Sequence, residues 1–169
     1  GKPSFWIKGG ALKFHIDKMS LAGEGDLWAK FQALKKKLLA EGLFDSVHKK
    51  ELPKYPRKIA VITSITGSVI QDILDVISRN SSYLYVTVIN SRMQGEEAVK
   101  DLIHAIDDVH NANIGVDVII IARGGGSLED LWCFNDEKVV KAIYASNIPI
   151  ISAVGHETDI TLSDYVADL

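Results

Sequence analysis

From residue 58 onward the chain alternates between two hydrophobic rhythms. The first is a set of short apolar runs: KIAVIT (58–63), YLYVTVIN (83–90), DVIIIA (117–122) and PIISAV (149–154). Their length and their share of β-branched residues read as strands. Three are apolar almost throughout, as happens when both faces of a strand are covered. The second rhythm has the helical period. SVIQDILDVISR sets Val69, Ile70, Ile73, Leu74 and Ile77 on one face. GEEAVKDLIHAIDDVHN and NDEKVVKAIYAS follow the same rule, and ETDITLSDYVADL opens a further helix. Strands alternating with helices make βαβ units, right-handed crossovers and a parallel sheet. The predicted fold class is therefore α/β, a doubly wound (Rossmann/flavodoxin-like) parallel sheet of about four strands with flanking helices.

Ahead of residue 58 the pattern differs. ALKFHIDKM (11–19) alternates, with Leu12, Phe14 and Ile16 on one side and Lys13, His15 and Asp17 on the other. With SFWIK before it and Gly9-Gly10 between, it reads as the last hairpin of a β-domain. GEGDLWAKFQALKKKLLAEG follows as a helix capped by Asp26, with Leu27, Phe31, Leu34 and Leu38 on its apolar face and Gly42 as the stop. Residues 43–58 read as a linker, with Pro53, Pro56 and five basic residues among positions 49–58.

Charge sharpens this division. Residues 1–58 carry 13 Lys/Arg against 6 Asp/Glu, a net +7, whereas residues 59–169 carry 6 against 16, a net −10. A basic front half points to a polyanionic partner; a solvated helix flank around Lys35-Lys36-Lys37 and a Lys-rich linker are the plainer account. The single cysteine, Cys133, excludes an internal disulfide and a cysteine metal cage. No apolar run approaches the length of a membrane span and the N-terminus lacks a signal-peptide pattern, so no membrane association and a cytoplasmic location are the expectation.

In open parallel sheets ligands bind beyond the carboxyl ends of the strands, and the unusual residues of this chain follow strands. After the first come Ser64, Thr66 and Gly67, able to offer hydroxyls and N–H groups at a helix start, and then Asp72, off the apolar face of that helix. Arg92 and Gln94 follow the second, a weaker signal. After the third stands Arg123-Gly124-Gly125-Gly126-Ser127: an Arg that can fork onto phosphate oxygens, and a bare backbone that can turn its N–H groups inward as an anion nest. Ser127 and Asp130 have the spacing of a capping box. After the fourth come Gly155 and His156, with Asp159 three residues on, on the same face of a helix that starts there. A His in that place can move a proton near neutral pH. Together these residues fit phosphoryl-ester chemistry, with Arg123 and backbone amides stabilising developing charge. Asp72 and Asp159 would orient groups, position water or hold Mg²⁺, and metal-independent catalysis through Arg and His is equally open. Taken singly, each residue also has a plainer account as a cap, a tight turn or a surface group. The rival readings are a non-catalytic nucleotide- or phosphate-binding module, an acidic docking domain, and a serine hydrolase built on Ser127, which lacks a G-x-S-x-G elbow.

The stretches PRKIAVITSITGSVIQDIL, QGEEAV, DVIIIARGGGSLEDLWCFNDEKVV and IPIISAVGHETDITLSDYVADL resemble the large subunit of bacterial exodeoxyribonuclease VII. The likeness runs from about Ala11 to Leu169. It implies an enzyme that hydrolyses single-stranded DNA from either end into oligonucleotides. It also implies an N-terminal OB-fold, a central catalytic domain, and a helical C-terminal region that binds several copies of a small subunit. The family's important residues fall here on Asp72, Arg123, His156 and Asp159. Residues 1–20 would then end the OB-fold, a reader of single strands, 21–57 form a helix and basic linker, and 58–169 begin the catalytic domain. The sequence departs from the family pattern at Ile65, usually Pro, and at Arg92-Met93, usually a more apolar pair. The usual Arg-Ala-Pro-Thr continuation after Leu169 and the long helices are absent, so the resemblance makes the chain a fragment containing the catalytic centre.

Overall fold

The computed structural model describes residues 2–6, 11–15, 24–81, 83–127, 129–155 and 160–169. Strands β1 (Lys2–Trp6) and β2 (Ala11–His15) form an antiparallel hairpin that pairs Trp6 with Ala11 and Lys2 with His15. The hairpin is the one expected from the alternation.

Helix α1 (Glu24–Ala40) starts ahead of Asp26, so that residue lies inside the helix and does not cap it. Its C-terminal end is the one expected. Gly42 takes φ +78°, its N–H donates to Leu39 O at 3.0 Å, and Leu43 N–H donates to Leu38 O at 3.1 Å. This paired closure requires the left-handed backbone that glycine adopts without strain. Phe31 and Leu38 of α1 are buried in the same core as the later helices.

Four parallel strands, β3 (Lys58–Thr63), β4 (Tyr85–Asn90), β5 (Val118–Ala122) and β6 (Ile150–Ala153), lie in the order β4-β3-β5-β6. The chain steps from β3 to β4 on one side, then back past β3 to β5 and on to β6. Right-handed crossovers in opposite directions put helices on opposite faces. Among the described helices, α2 (Ser68–Asn80) alone covers one face, while α3 (Ala98–Asn111) and α4 (Glu137–Ala145) cover the other. Alternation along the strands serves both sides: Ala60, Ile62, Ile119 and Ile121 face the larger core, Ile59, Val61 and Val118 the smaller one under α2. A 3₁₀ turn (Trp132–Asn135) buries Phe134 in the larger core.

Several boundaries differ from the sequence expectation. Helix α3 starts at Ala98 because Gly95, at φ +83°, still belongs to the turn. Tyr83 and Leu84 precede β4. Helix α5 (Leu162–Val166) starts well after Glu157, because Thr161 and Asp164 close a capping box there, with Thr161 N–H donating to Asp164 Oδ2 at 2.6 Å.

Part of the charge asymmetry is spent inside the molecule. Lys35 donates to Tyr165 OH at 2.6 Å, Lys37 lies 2.7 Å from Glu137, and Lys50 lies 3.6 Å from Asp168. Asp168 also accepts the backbone N–H of Lys50 at 2.6 Å, so the linker is pinned to the body of the fold. Among the described residues no helix is long and apolar enough to cross a membrane.

Candidate active site

The strand order reverses between β3 and β5, the place where open α/β sheets bind ligands. A cleft of about 510 Å³ opens there, walled by the β3–α2 turn, the residues after β4 and the loop after β5. It brings together Ser64 and Gly67 with Arg123, Gly124 and Gly125, and adds Ser68, Arg92, Met93 and Gln94.

The β3–α2 turn is held by short contacts. Gly67 N–H donates to Ser64 O at 3.1 Å, Ile65 N–H donates to Asn90 Oδ1 at 3.2 Å, and the Ser64 and Thr66 hydroxyls lie 3.0 Å apart. Gly67 stands at the N-cap of α2 in an extended conformation and has no side chain to cap the helix. The first amides of α2 are therefore left open beside the cleft, with the positive end of the helix dipole behind them.

Arg123 leaves the end of β5 with its backbone N–H on Ala153 O at 3.0 Å, which ties the loop to β6. Its guanidinium bends back. Nη1 donates to Asp130 O at 2.7 Å and reaches Met93 O at 3.5 Å, and Nη2 lies 3.4 Å from Gln94 Oε1. Only the first is a full-strength hydrogen bond. The glycines after it are not explained by a nest of alternating handedness, since neither Gly124 nor Gly126 has a left-handed φ. They are explained by close approach. A Cβ at 126 would overlap Nη2 of Arg123, and one at 124 would stand 3.3 Å from the Val69 side chain. Gly126 is bare so that the arginine can lie across it. The N–H groups of Gly124, Gly125 and Gly126 donate to none of the described residues.

Ser127 and Asp130 form the capping box read from the sequence. Asp130 Oδ2 accepts from Ser127 N at 3.1 Å and Oγ at 3.0 Å, while Asp130 N–H donates to Ser127 Oγ at 3.3 Å. The Ser127 hydroxyl and amide hold the Asp130 carboxyl below its usual range. A hydroxyl already donating and accepting within a cap is poorly placed as a nucleophile. Cys133 is buried, and burial pushes its thiol up to about 11, so it stays protonated.

Among the described residues, the other candidates are not tied to Arg123. Arg92 is exposed and paired with Asp101, Nε to Oδ2 at 2.6 Å, with Glu97 at 3.7 Å. That pairing holds the Asp101 carboxyl down and raises Arg92. Asp72 is exposed one turn along α2 from Ser68, on the same side of the helix. It does not line the Arg123 cleft. It borders an apolar groove of about 460 Å³ over the other half of the sheet, beside Ile73, Val76, Ile120 and Ile151. His156 and Asp159 lie outside the described residues. Among the described residues the cleft lining has no carboxylate and no group of three His, Cys, Asp or Glu gathers, so a Mg²⁺ site would rest on Asp72 and Asp159. Sequence reasoning gave Gln94 little weight and missed Asn90 and the Met93 carbonyl. A polar residue closing a strand beside the switch point was the available signal for Asn90.

Comparison with known proteins decides the family. The family model described as exonuclease VII, large subunit, matches residues 43–169. The chain belongs to that family. It is 48% identical over its whole length to the exodeoxyribonuclease 7 large subunit of Clostridium beijerinckii. It is 49% identical over 95% of its length to the protein of that name from Halothermothrix orenii, and 51% identical over 95% to that of Haemophilus influenzae. The chain spans 42%, 39% and 36% of the length of these three relatives.

Proposed function

We propose that this chain carries the catalytic domain of the large subunit of a bacterial exonuclease that hydrolyses single-stranded DNA from both ends into oligonucleotides. The observation that carries the reading is the cleft at the β3/β5 switch point. There one guanidinium, donating to Asp130 O and lying near Met93 O and Gln94 Oε1, shares the cleft with the start of α2 and with backbone amides that donate to none of the described residues. Such donors suit a phosphate whose negative charge grows in the transition state. In this proposal Arg123 and the amides of Gly124, Gly125 and Gly126 take the non-bridging oxygens, with Ser64, Thr66 and Ser127 shaping the approach. His156 accepts the proton of the attacking water as the new P–O bond forms, then returns it to the leaving oxygen as the old bond breaks. Asp159 orients His156, and Asp72 is assigned a supporting role from α2, although it borders the neighbouring groove and not the cleft itself. If Mg²⁺ takes part, Asp72 and Asp159 would be the carboxylates to hold it, and it would supply charge neutralisation at the phosphate.

Residues 1–20 are proposed to end an OB-fold, consistent with a hairpin at 2–15. The proposed partners are single-stranded DNA and the small subunit, the latter engaged by the C-terminal region of the whole protein, in the cytoplasm.

The test uses the whole protein co-expressed with its small subunit, and end-labelled single- and double-stranded DNA with Mg²⁺ or EDTA. The parent cuts single strands, His156→Ala binds without cutting, and Arg123→Ala loses on the order of 10²–10³ in rate. The EDTA arm decides between metal-assisted and metal-free chemistry. If His156→Ala cuts like the parent, the proton-transfer role is wrong. A parent that binds DNA without cutting it makes the cleft a phosphate-recognition module.

A further inference from the structure

The opposite end of the sheet holds a second constellation. Tyr55, Arg57, Tyr83 and Tyr85 line an open hollow of about 590 Å³ at the amino ends of β3 and β4. The three tyrosines are 76%, 60% and 73% exposed. Singly exposed aromatics are ordinary; three around one arginine are not.

The backbone holds them in place. Tyr85 N–H donates to Arg57 O at 2.8 Å, extending the β3–β4 ladder downward. Arg57 and Lys58 donate their own N–H groups to Asp117 Oδ2 at 2.7 and 2.9 Å. Leu84 packs against the core under α2, and its neighbours Tyr83 and Tyr85 turn outward. Pro53 and Pro56 stiffen the segment carrying Tyr55. A cation stands near one ring, with Lys54 Nζ 5.7 Å from the Tyr55 centroid, while Lys58, the register partner of Tyr85, donates its Nζ to Ile114 O at 2.9 Å. The nearby carboxylate, Asp117, is occupied by the backbone.

We propose that this hollow is a second binding site for single-stranded nucleic acid, stacking bases on Tyr55, Tyr83 and Tyr85 and placing a phosphate on Arg57. Rings beside cations accept any base and track a charged backbone, which suits a processing enzyme indifferent to sequence. The inference rests on the single-strand reading above and goes beyond it. A strand of six residues puts the hollow roughly 20 Å from the catalytic cleft, so it holds a part of the strand that is not being cut.

The experiment compares the assembled whole protein with two triple variants, Tyr55→Ser/Tyr83→Ser/Tyr85→Ser and Tyr55→Phe/Tyr83→Phe/Tyr85→Phe, and with Arg57→Gln. Fluorescein-labelled oligothymidine of about 40 nucleotides, well beyond the roughly 4–16-nucleotide footprint of one single-strand fold, is titrated at several salt concentrations. Iodouracil cross-links are mapped in parallel. The serine variant binds about tenfold more weakly or worse, the phenylalanine variant keeps its affinity because the rings remain, and Arg57→Gln lowers the salt slope by about 0.7. Cross-links in the parent fall on the three tyrosines. Unchanged affinity and slope, with no cross-links there, overturn the inference while the parent's cutting keeps the nuclease reading intact. A parent that neither binds nor cuts single strands brings down both. If the serine variant binds DNA normally but loses its small subunit, the hollow docks protein and the inference fails.

Discussion

The two ends of the four-stranded sheet are furnished with opposite kinds of side chain. At the carboxyl end the loops are small and bare: Ser64, Thr66 and Gly67 after β3, Gly124, Gly125 and Gly126 after β5, and one arginine laid across them. At the amino end they are large and aromatic, with Tyr55, Tyr83 and Tyr85 standing in solvent around Arg57. Each end presents an arginine, but in different states. Arg123 is half-buried and held by a hydrogen bond to Asp130 O, with Met93 O and Gln94 Oε1 at longer range, whereas Arg57 is exposed. A fixed guanidinium among amides suits a group whose charge changes during reaction; a free one among rings suits passive holding. On the proposed readings, the difference separates chemistry from grip on one scaffold.

The largest expected effect should erase the comparison altogether. Phe134 is fully buried where the 3₁₀ turn meets α5, its carbonyl accepting from Ser163 Oγ at 2.8 Å. Phe134→Ala should cost about 3–5 kcal/mol, a large share of the roughly 5–15 kcal/mol typical of a domain. Thermal unfolding should fall sharply, and cutting and long-strand binding should fall with it. If one end survives unchanged, the two do not depend on a common core.

Gly126→Ala should split them. The new methyl would overlap the Arg123 guanidinium and stand 3.1 Å from Asp130 Cβ, so the arginine must leave its seat. Cutting should drop on the order of 10²–10³, as for loss of a charge-stabilising donor, with unfolding temperature and oligothymidine binding nearly unchanged. A fully active Gly126→Ala enzyme would mean that the position of Arg123 is not what the glycines protect.

Much of this was readable from the sequence, and what was hidden has a common cause. The limits of β3, the closure at Gly42 and the Ser127–Asp130 box depend on residues within a few positions of one another, so pattern alone found them. The reason for Gly126 depends on where a side chain three residues back folds, which no local rule supplies. The start of α5 was misjudged because several polar residues precede it, and only tertiary packing selects Thr161 as the cap. Asp72 read as solvent-facing on a helical wheel. It borders a groove because, among the described helices, α2 alone covers its face of the sheet, so residues flanking its apolar stripe look over β5 and β6. The lysines of α1 read as a solvated flank, yet two of them are spent on Tyr165 and Glu137, residues 130 and 100 positions away.

A smaller effect tests how Arg123 is held. Gln94 Oε1 lies 3.4 Å from Nη2, a long contact, so Gln94→Ala should slow cutting by less than about fivefold, in keeping with a net value near 1 kcal/mol for a neutral hydrogen bond. Unfolding temperature should not change. A loss as deep as that of Gly126→Ala would show that Gln94 meets the substrate itself.

The smallest effect belongs to the amino end. The backbone N–H groups of Lys58 and Arg57 hold the Asp117 carboxyl below its usual range. A depressed carboxyl stabilises the fold above its unfolded value of about 3.9, and that contribution disappears as pH falls through the folded value. Asp117→Ala should therefore lower stability by about 1 kcal/mol at neutral pH, and the gap from the parent should close in acid, read by thermal unfolding across a pH series. Because the same carboxylate fixes the backbone between Tyr55 and Tyr85, oligothymidine affinity should weaken while cutting at the far end stays constant. Equal losses at both ends would mean that Asp117 supports the sheet as a whole, and the separation between chemistry and grip would not hold at this residue.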